Sequence, residues 1–159
     1  MNKMKMIKLK LMFVFVVFFT SCGFKAINQK TSDLVYLQEI NVTGERRAAY
    51  ILKNDLLLIS NKNSLNRYDV EIKIEKQKKD KIKDKSGKVK RHALSISANL
   101  KLINLNNKKV VKKTFLRKLD FNVVIIHSDT INNENRAVEN ITETLSEDII
   151  SFIVLNLRN

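Results

Sequence analysis

Between Tyr68 and Glu75 the chain alternates without a break. Tyr68, Val70, Ile72 and Ile74 are apolar, and Asp69, Glu71, Lys73 and Glu75 between them are charged. A side-chain period of two belongs to a strand with one buried and one solvated face, since a helix would put these four apolar groups on opposite sides. A sheet with one apolar face must be covered by something. A second alternation, His92, Leu94, Ile96, Ala98, Leu100 and Leu102, predicts a second long strand. Residues 110–121 read as a third strand of the same meander, with Val111, Phe115, Leu119 and Phe121 on one face. Asn106-Asn107 is the turn signal before it. The polar stretch 76–91 reads as a connection, with Ser86-Gly87 as its turn.

The cover comes from segments of a different period. After a short strand at 34–42, Thr43-Gly44 breaks the chain, and Thr43 has the chemistry of a helix N-cap. Over 45–60, Ala48, Ile51, Leu52, Leu56 and Ile59 are spaced by three and four, one face of an amphipathic helix that Asn61-Lys62-Asn63-Ser64 ends. Near the C-terminus Val138, Ile141, Leu145, Ile149 and Phe152 repeat that spacing, with Glu139, Glu143, Glu147 and Asp148 mostly elsewhere. This predicts a long helix starting near Asn132. The order is strand, helix, three-strand meander, helix. The fold class expected is α+β, two helices packed on one face of a mostly antiparallel four-stranded sheet.

The front of the chain is of another kind. Lys3, Lys5, Lys8 and Lys10 precede an unbroken apolar run at 11–19, followed by Phe19-Thr20-Ser21-Cys22. The run is less than half of the roughly 20 residues a membrane-spanning helix needs, so residues 1–21 read as a cleaved signal peptide. Small residues before a cysteine resemble a lipobox, although Phe19 stands where leucine is usual. Cys22, the only cysteine of the chain, is the expected lipidation site, which leaves no thiol for a disulfide. Residues 22–33 then form a lipidated tether and 34–159 a single domain. Gly23, rather than an aspartate, follows the cysteine. By resemblance to lipoprotein sorting, that favours the outer membrane.

Removing residues 1–21 takes away four positive charges and no negative ones, so the net charge falls from +14 to +10 over 138 residues. Such a chain meets polyanions. For an exported lipoprotein these are phospholipid head groups and lipopolysaccharide rather than nucleic acid. An AT-rich genome favouring lysine codons accounts for part of the charge but less well for its clustering. Chemistry-bearing constellations are missing. Beyond Cys22 there are two histidines, His92 and His127, with no third metal ligand nearby, and three glycines are too few for a phosphate loop. The expectation is a binding or assembly protein, not an enzyme, without metal or cofactor.

The order of these features resembles the LPS-assembly lipoprotein LptE family in its alphaproteobacterial form. The residues that carry the resemblance are Cys22-Gly23-Phe24, the passage Ile40-Asn-Val-Thr-Gly-Glu-Arg-Arg, Asn54-Asp-Leu-Leu-Leu, Tyr68-Asp-Val-Glu-Ile, His92-Ala-Leu-Ser-Ile-Ser-Ala-Asn-Leu, and Asn133-Glu-Asn-Arg-Ala-Val-Glu-Asn-Ile. The resemblance implies the same two-helix, four-strand fold and a plug inside the LptD outer-membrane β-barrel. It also implies binding of lipopolysaccharide during its insertion into the outer leaflet. The basic groups it points to are Lys85, Lys88, Lys90 and Arg91 around the Ser86-Gly87 turn, and Arg117 in the third meander strand. A solvated basic loop that guards a sheet edge is the alternative for these lysines. For the protein, the alternative is another outer-membrane lipoprotein subunit, of a phospholipid-trafficking or barrel-assembly complex.

Overall fold

A computed structural model describes residues 35–157. The signal at 1–21, Cys22 and the tether at 22–33 lie outside the described residues. The elements run β1 (Tyr36–Gly44), α1 (Arg46–Ile59), β2 (Arg67–Lys83), β3 (Val89–Asn104), β4 (Val110–Asn122) and α2 (His127–Asn156). They form a four-stranded sheet in the order β1-β2-β3-β4.

The two alternating segments meet face to face. Val70 pairs with Leu102, Ile72 with Leu100 and Ile74 with Ala98 across an antiparallel ladder, and all six are buried. Phe115 of β4 pairs with Ala98 and continues the row. In this register the apolar residues of β2 from Val70 to Ile74 land beside apolar residues of β3, and a slip of one residue would turn that set to water. β1 runs parallel to β2, Val42 beside Ile72 and Gly44 beside Ile74. A parallel neighbour needs a crossover rather than a hairpin, and α1 is that crossover. The sheet is therefore mixed, with one parallel pair and two antiparallel ones.

Both helices cover the same face. α1 buries Ala48, Leu52, Leu56 and Ile59, and α2 buries Ala137, Val138, Ile141, Leu145, Ile149 and Ile153. These join the inward residues of the strands in one core cluster. Each large aliphatic side chain taken fully out of water contributes about 1.5–3 kcal/mol. The two-helix, four-strand α+β architecture expected from periodicity is the one observed.

Several boundaries differ from those expected, each for a physical reason. Thr43 is not the helix cap. β1 continues through Gly44, and the Thr43 hydroxyl donates to the Ile72 carbonyl at 3.4 Å. The cap is Glu45, whose carboxylate accepts from the Ala48 amide at 2.7 Å. The stretch at 76–91 is not a loop but the far halves of β2 and β3, paired as far as Lys83 with Val89. α2 begins at His127, five residues ahead of Asn132, because its first turn carries polar residues and no inward apolar group to mark it. Leu119 shares a face with Phe115 and Phe121 but is 39 % exposed, since β4 is an edge strand.

Gly44 is where the strand-to-helix passage is tightest. Its φ is +111°, and a Cβ there would stand 1.9 Å from the Ile74 carbonyl oxygen. Only glycine combines that backbone with that approach. Gly44→Ala is expected to lower unfolding stability by about 2–3 kcal/mol, read as a reduced midpoint in urea; an unchanged midpoint would mean that β1 is not held in this register.

Candidate functional site

β1 ends beside Ile74, yet β2 runs on to Lys83. The hairpin of β2 and β3 therefore projects about 30 Å beyond the parallel pair, at about 3.3 Å per residue. On this arm the inward positions of β2 change character. Lys76 stands opposite Ile96 and Lys78 opposite Leu94, so two ammonium groups occupy the face that the helices cover. Both are paired with α2: Glu134 accepts from Lys78 at 2.7 Å and from Lys76 at 3.2 Å. Burial raises the Glu134 pKa, and this is the largest single influence on it. The hydrogen bonds and charges of Lys78 and Lys76 together outweigh burial and hold the carboxyl below its usual value. Arg47 of α1 adds a 2.5 Å ion pair to Glu139. The N-terminal half of α2 is thus held by charge to the arm through Glu134 and to α1 through Glu139.

The tip of the arm is a built turn. The Gly87 amide donates to the Asp84 carbonyl and the Asp84 amide to the Lys88 carbonyl, both at 2.9 Å. Gly87 has φ +83°, the left-handed geometry that closes a three-residue hairpin loop. The Asp84 carboxylate organises the loop, accepting from the Ser86 hydroxyl at 2.6 Å and from the Ser86 and Lys88 amides at 2.9 and 3.0 Å. The Ser86 hydroxyl is the main reason its pKa lies below the usual value.

Four of the five nominated cationic residues gather here. Lys85 is in the turn and Lys88 leaves it, and neither has an acidic partner among the described residues. Lys90 lies 3.4 Å from Asp84, and the Arg91 Nε donates to the Asn122 side chain at 3.1 Å. Lys88 and Lys90 also line a concavity of about 700 Å³ whose other walls are Val89, residues 123–126 and Asp129. Arg117 lies apart. It pairs with Ile96 on the helix-covered face and holds Asp148 of α2 at 2.5 Å, five residues along β4 from Asn122, or roughly 17 Å. Its guanidinium binds the helix to the edge strand, as Lys76 and Lys78 do on the other side.

The sequence pattern did not single out residues 123–126 as part of a site. Their signal was an apolar run that fits neither period. His92 packs on the Phe121 ring with centroids 5.3 Å apart. Its Nδ1 is 3.2 Å from Asp80, without the alignment of a hydrogen bond. His127 begins α2. Among the described residues no cluster of histidine, cysteine and carboxylate side chains is arranged to hold a metal, and no helix is long and apolar enough to cross a membrane.

The Asp84 carboxyl is expected to titrate below its ordinary value of 3.8. A depressed pKa means that its contribution to the turn is complete above that value and is lost as the pH falls through the lower folded one. A carbon-detected NMR titration checks this, and a midpoint at or above 3.8 would contradict the hydrogen bonding described.

No protein-family model and no curated protein sequence matches this chain. Solved structures do resemble it. A protein of Caulobacter crescentus CB15 assigned as a lipoprotein superposes with a TM-score of 0.55 at 14 % identity, covering 82 % of this chain and 96 % of that one. Rare lipoprotein B from Shewanella oneidensis superposes with a TM-score of 0.61 at 11 % identity, covering 76 % of this chain and 98 % of that one. At these identities the likeness is one of fold. The two-helix, mixed four-strand architecture of this chain is the fold of these lipoproteins over nearly their whole length.

Proposed function

We propose that this chain is an outer-membrane lipoprotein, acylated at Cys22, that plugs an LptD-type β-barrel and takes part in moving lipopolysaccharide into the outer leaflet. The observation that carries the reading is the combination of a lipobox-like Phe19-Thr20-Ser21-Cys22 with a domain that shares the fold of rare lipoprotein B across 98 % of that protein. The order of features resembling the LptE family supports the same assignment. The basic arm supplies a chemistry suited to it.

Lipopolysaccharide is an anionic amphiphile whose phosphates are bridged by divalent cations. Ammonium and guanidinium groups can stand in for those cations, and their hydrogen bonds to phosphate are charge-assisted. Lys85 and Lys88 are the free candidates. Lys90 and Arg91 are more constrained, by Asp84 and Asn122. In this reading they hold head groups singly and keep the molecules from aggregating. Arg117 takes the lesser part, because contact with ligand would require it to leave Asp148. The palmitate-type acyl chains on Cys22 tie the domain to the membrane at about 0.8 kcal/mol per buried methylene.

The test is a mild-detergent purification of the tagged protein from outer membranes, with partners identified by mass spectrometry. A near-stoichiometric large β-barrel is the expected result. Recovery alone would overturn the plug assignment, and recovery with a phospholipid-trafficking or barrel-assembly complex would overturn it in favour of that complex. Two variants sharpen it. Cys22→Ser is expected to abolish metabolic labelling with palmitate. Replacing Lys85 and Lys88 together with glutamate is expected to weaken binding of purified lipopolysaccharide about tenfold or more, on the scale of losing two charge-assisted contacts, with barrel recovery unchanged.

A further inference from the structure

Residues 123–126, Val-Val-Ile-Ile, link β4 to α2 and turn outward. Val124 is 42 % exposed, Ile126 60 % and Ile125 entirely so, and Ile131 in α2 adds a further 46 %. Consecutive aliphatic residues left in water favour aggregation and mark a surface with a use. This display is held in place rather than loose. The Thr130 hydroxyl accepts from the Val124 amide at 3.0 Å and donates to the Val124 carbonyl at 3.3 Å. The Val123 amide donates to the Lys90 carbonyl at 2.9 Å, and the Asn133 side chain donates to the Asn122 carbonyl at 3.1 Å. Lys88 and Lys90 share a concavity with the loop, and Lys85 stands beyond them at the turn.

We infer that this end of the molecule is an interfacial anchor, in which Val124, Ile125, Ile126 and Ile131 enter the boundary between head groups and acyl chains of an anionic lipid bilayer while Lys85 and Lys88 meet its phosphates. A held aliphatic projection beside cations is the amphipathic arrangement that binds such a boundary, where apolar burial and attraction to anionic lipid add. A protein partner fits less well. Stable protein interfaces bury about 800 Å² on each side and centre on tryptophan, tyrosine or arginine, whereas this projection is four aliphatic side chains. The site is also remote from the entry of the chain. Tyr36 pairs with Arg67 at the opposite end of β2, about 55 Å from the turn at roughly 3.3 Å per residue. The inference goes beyond the plug reading and requires neither a barrel nor lipopolysaccharide.

A local probe tests it in the full chain. Cys22→Ser with Ile125→Cys leaves a single thiol for a polarity-sensitive bimane label, and Leu65→Cys, 86 % exposed at the other end, serves as the control. Vesicles of phosphatidylglycerol and phosphatidylcholine are added, then vesicles of phosphatidylcholine alone. The expected result is a blue shift and quenching by membrane-embedded spin labels at position 125 with the anionic vesicles, and neither at position 65. Partitioning should weaken about fivefold for each of Lys85→Gln and Lys88→Gln. No shift at position 125 while the chain co-sediments with vesicles would overturn the inference, as would equal shifts at both positions. A shift that needs outer-membrane protein and is missing with lipid alone would assign the loop to a protein interface and overturn it as well.

Discussion

The pairing register of β2 with β3 is the constraint on which the rest of the molecule depends. Because Ile72 meets Leu100 and Ile74 meets Ala98, one face of the sheet is continuously apolar near its base and must be covered. α1 and α2 do this with their buried stripes. The same register, carried further along the hairpin, brings Lys78 opposite Leu94 and Lys76 opposite Ile96. There the inward positions of β2 are lysines, and their ion pairs to Glu134 lie beside Leu94 and Ile96 of β3, which remain buried. Such partly exposed pairs contribute modestly to stability. Their consequence is geometric: they align α2 along the arm, which places residues 123–126 beside the turn.

How much of this was legible in the sequence follows from which interactions leave a periodic trace. Tyr68 to Glu75 and His92 to Leu102 announced their strands because alternating burial writes a period of two. The helix stripes at Ala48 to Ile59 and Val138 to Phe152 were equally clear. The arm was not legible as a strand. Lys76, Lys78 and Asp80 sit at inward positions and look, in sequence, like solvent-facing residues of a loop. Its partner strand carried the apolar half of the signal alone. The capping role of Glu45 was hidden because Thr43 is the better cap by chemistry, and the strand outcompeted it for those residues. Of the candidate cations, Lys85, Lys88, Lys90 and Arg91 lie near one another at the arm's tip because they are close in the chain. Arg117 lies in a different strand from the turn, and its engagement with Asp148 is a long-range contact that no local pattern records.

The two ends of the domain are chemically different in a way that fits a lipid-handling protein. The chain enters at the end where β2 begins, behind a segment with the features of a lipid attachment signal. The opposite end carries an ordered turn, two lysines, Lys85 and Lys88, without acidic partners among the described residues, and aliphatic side chains displayed to solvent. Anionic amphiphiles present the complementary combination, phosphate beside acyl chain. Under the proposed function, the turn end of the arm is the part of the domain that meets lipid.

The central claim is that the turn end, rather than the entry end, meets the transported amphiphile. Site-specific photocrosslinking in growing cells tests it most directly, with a photoreactive phenylalanine replacing Lys85 in one strain and Leu65 in another. The account predicts lipopolysaccharide adducts from position 85 and none from position 65. Adducts from position 65 with none from position 85 would contradict it.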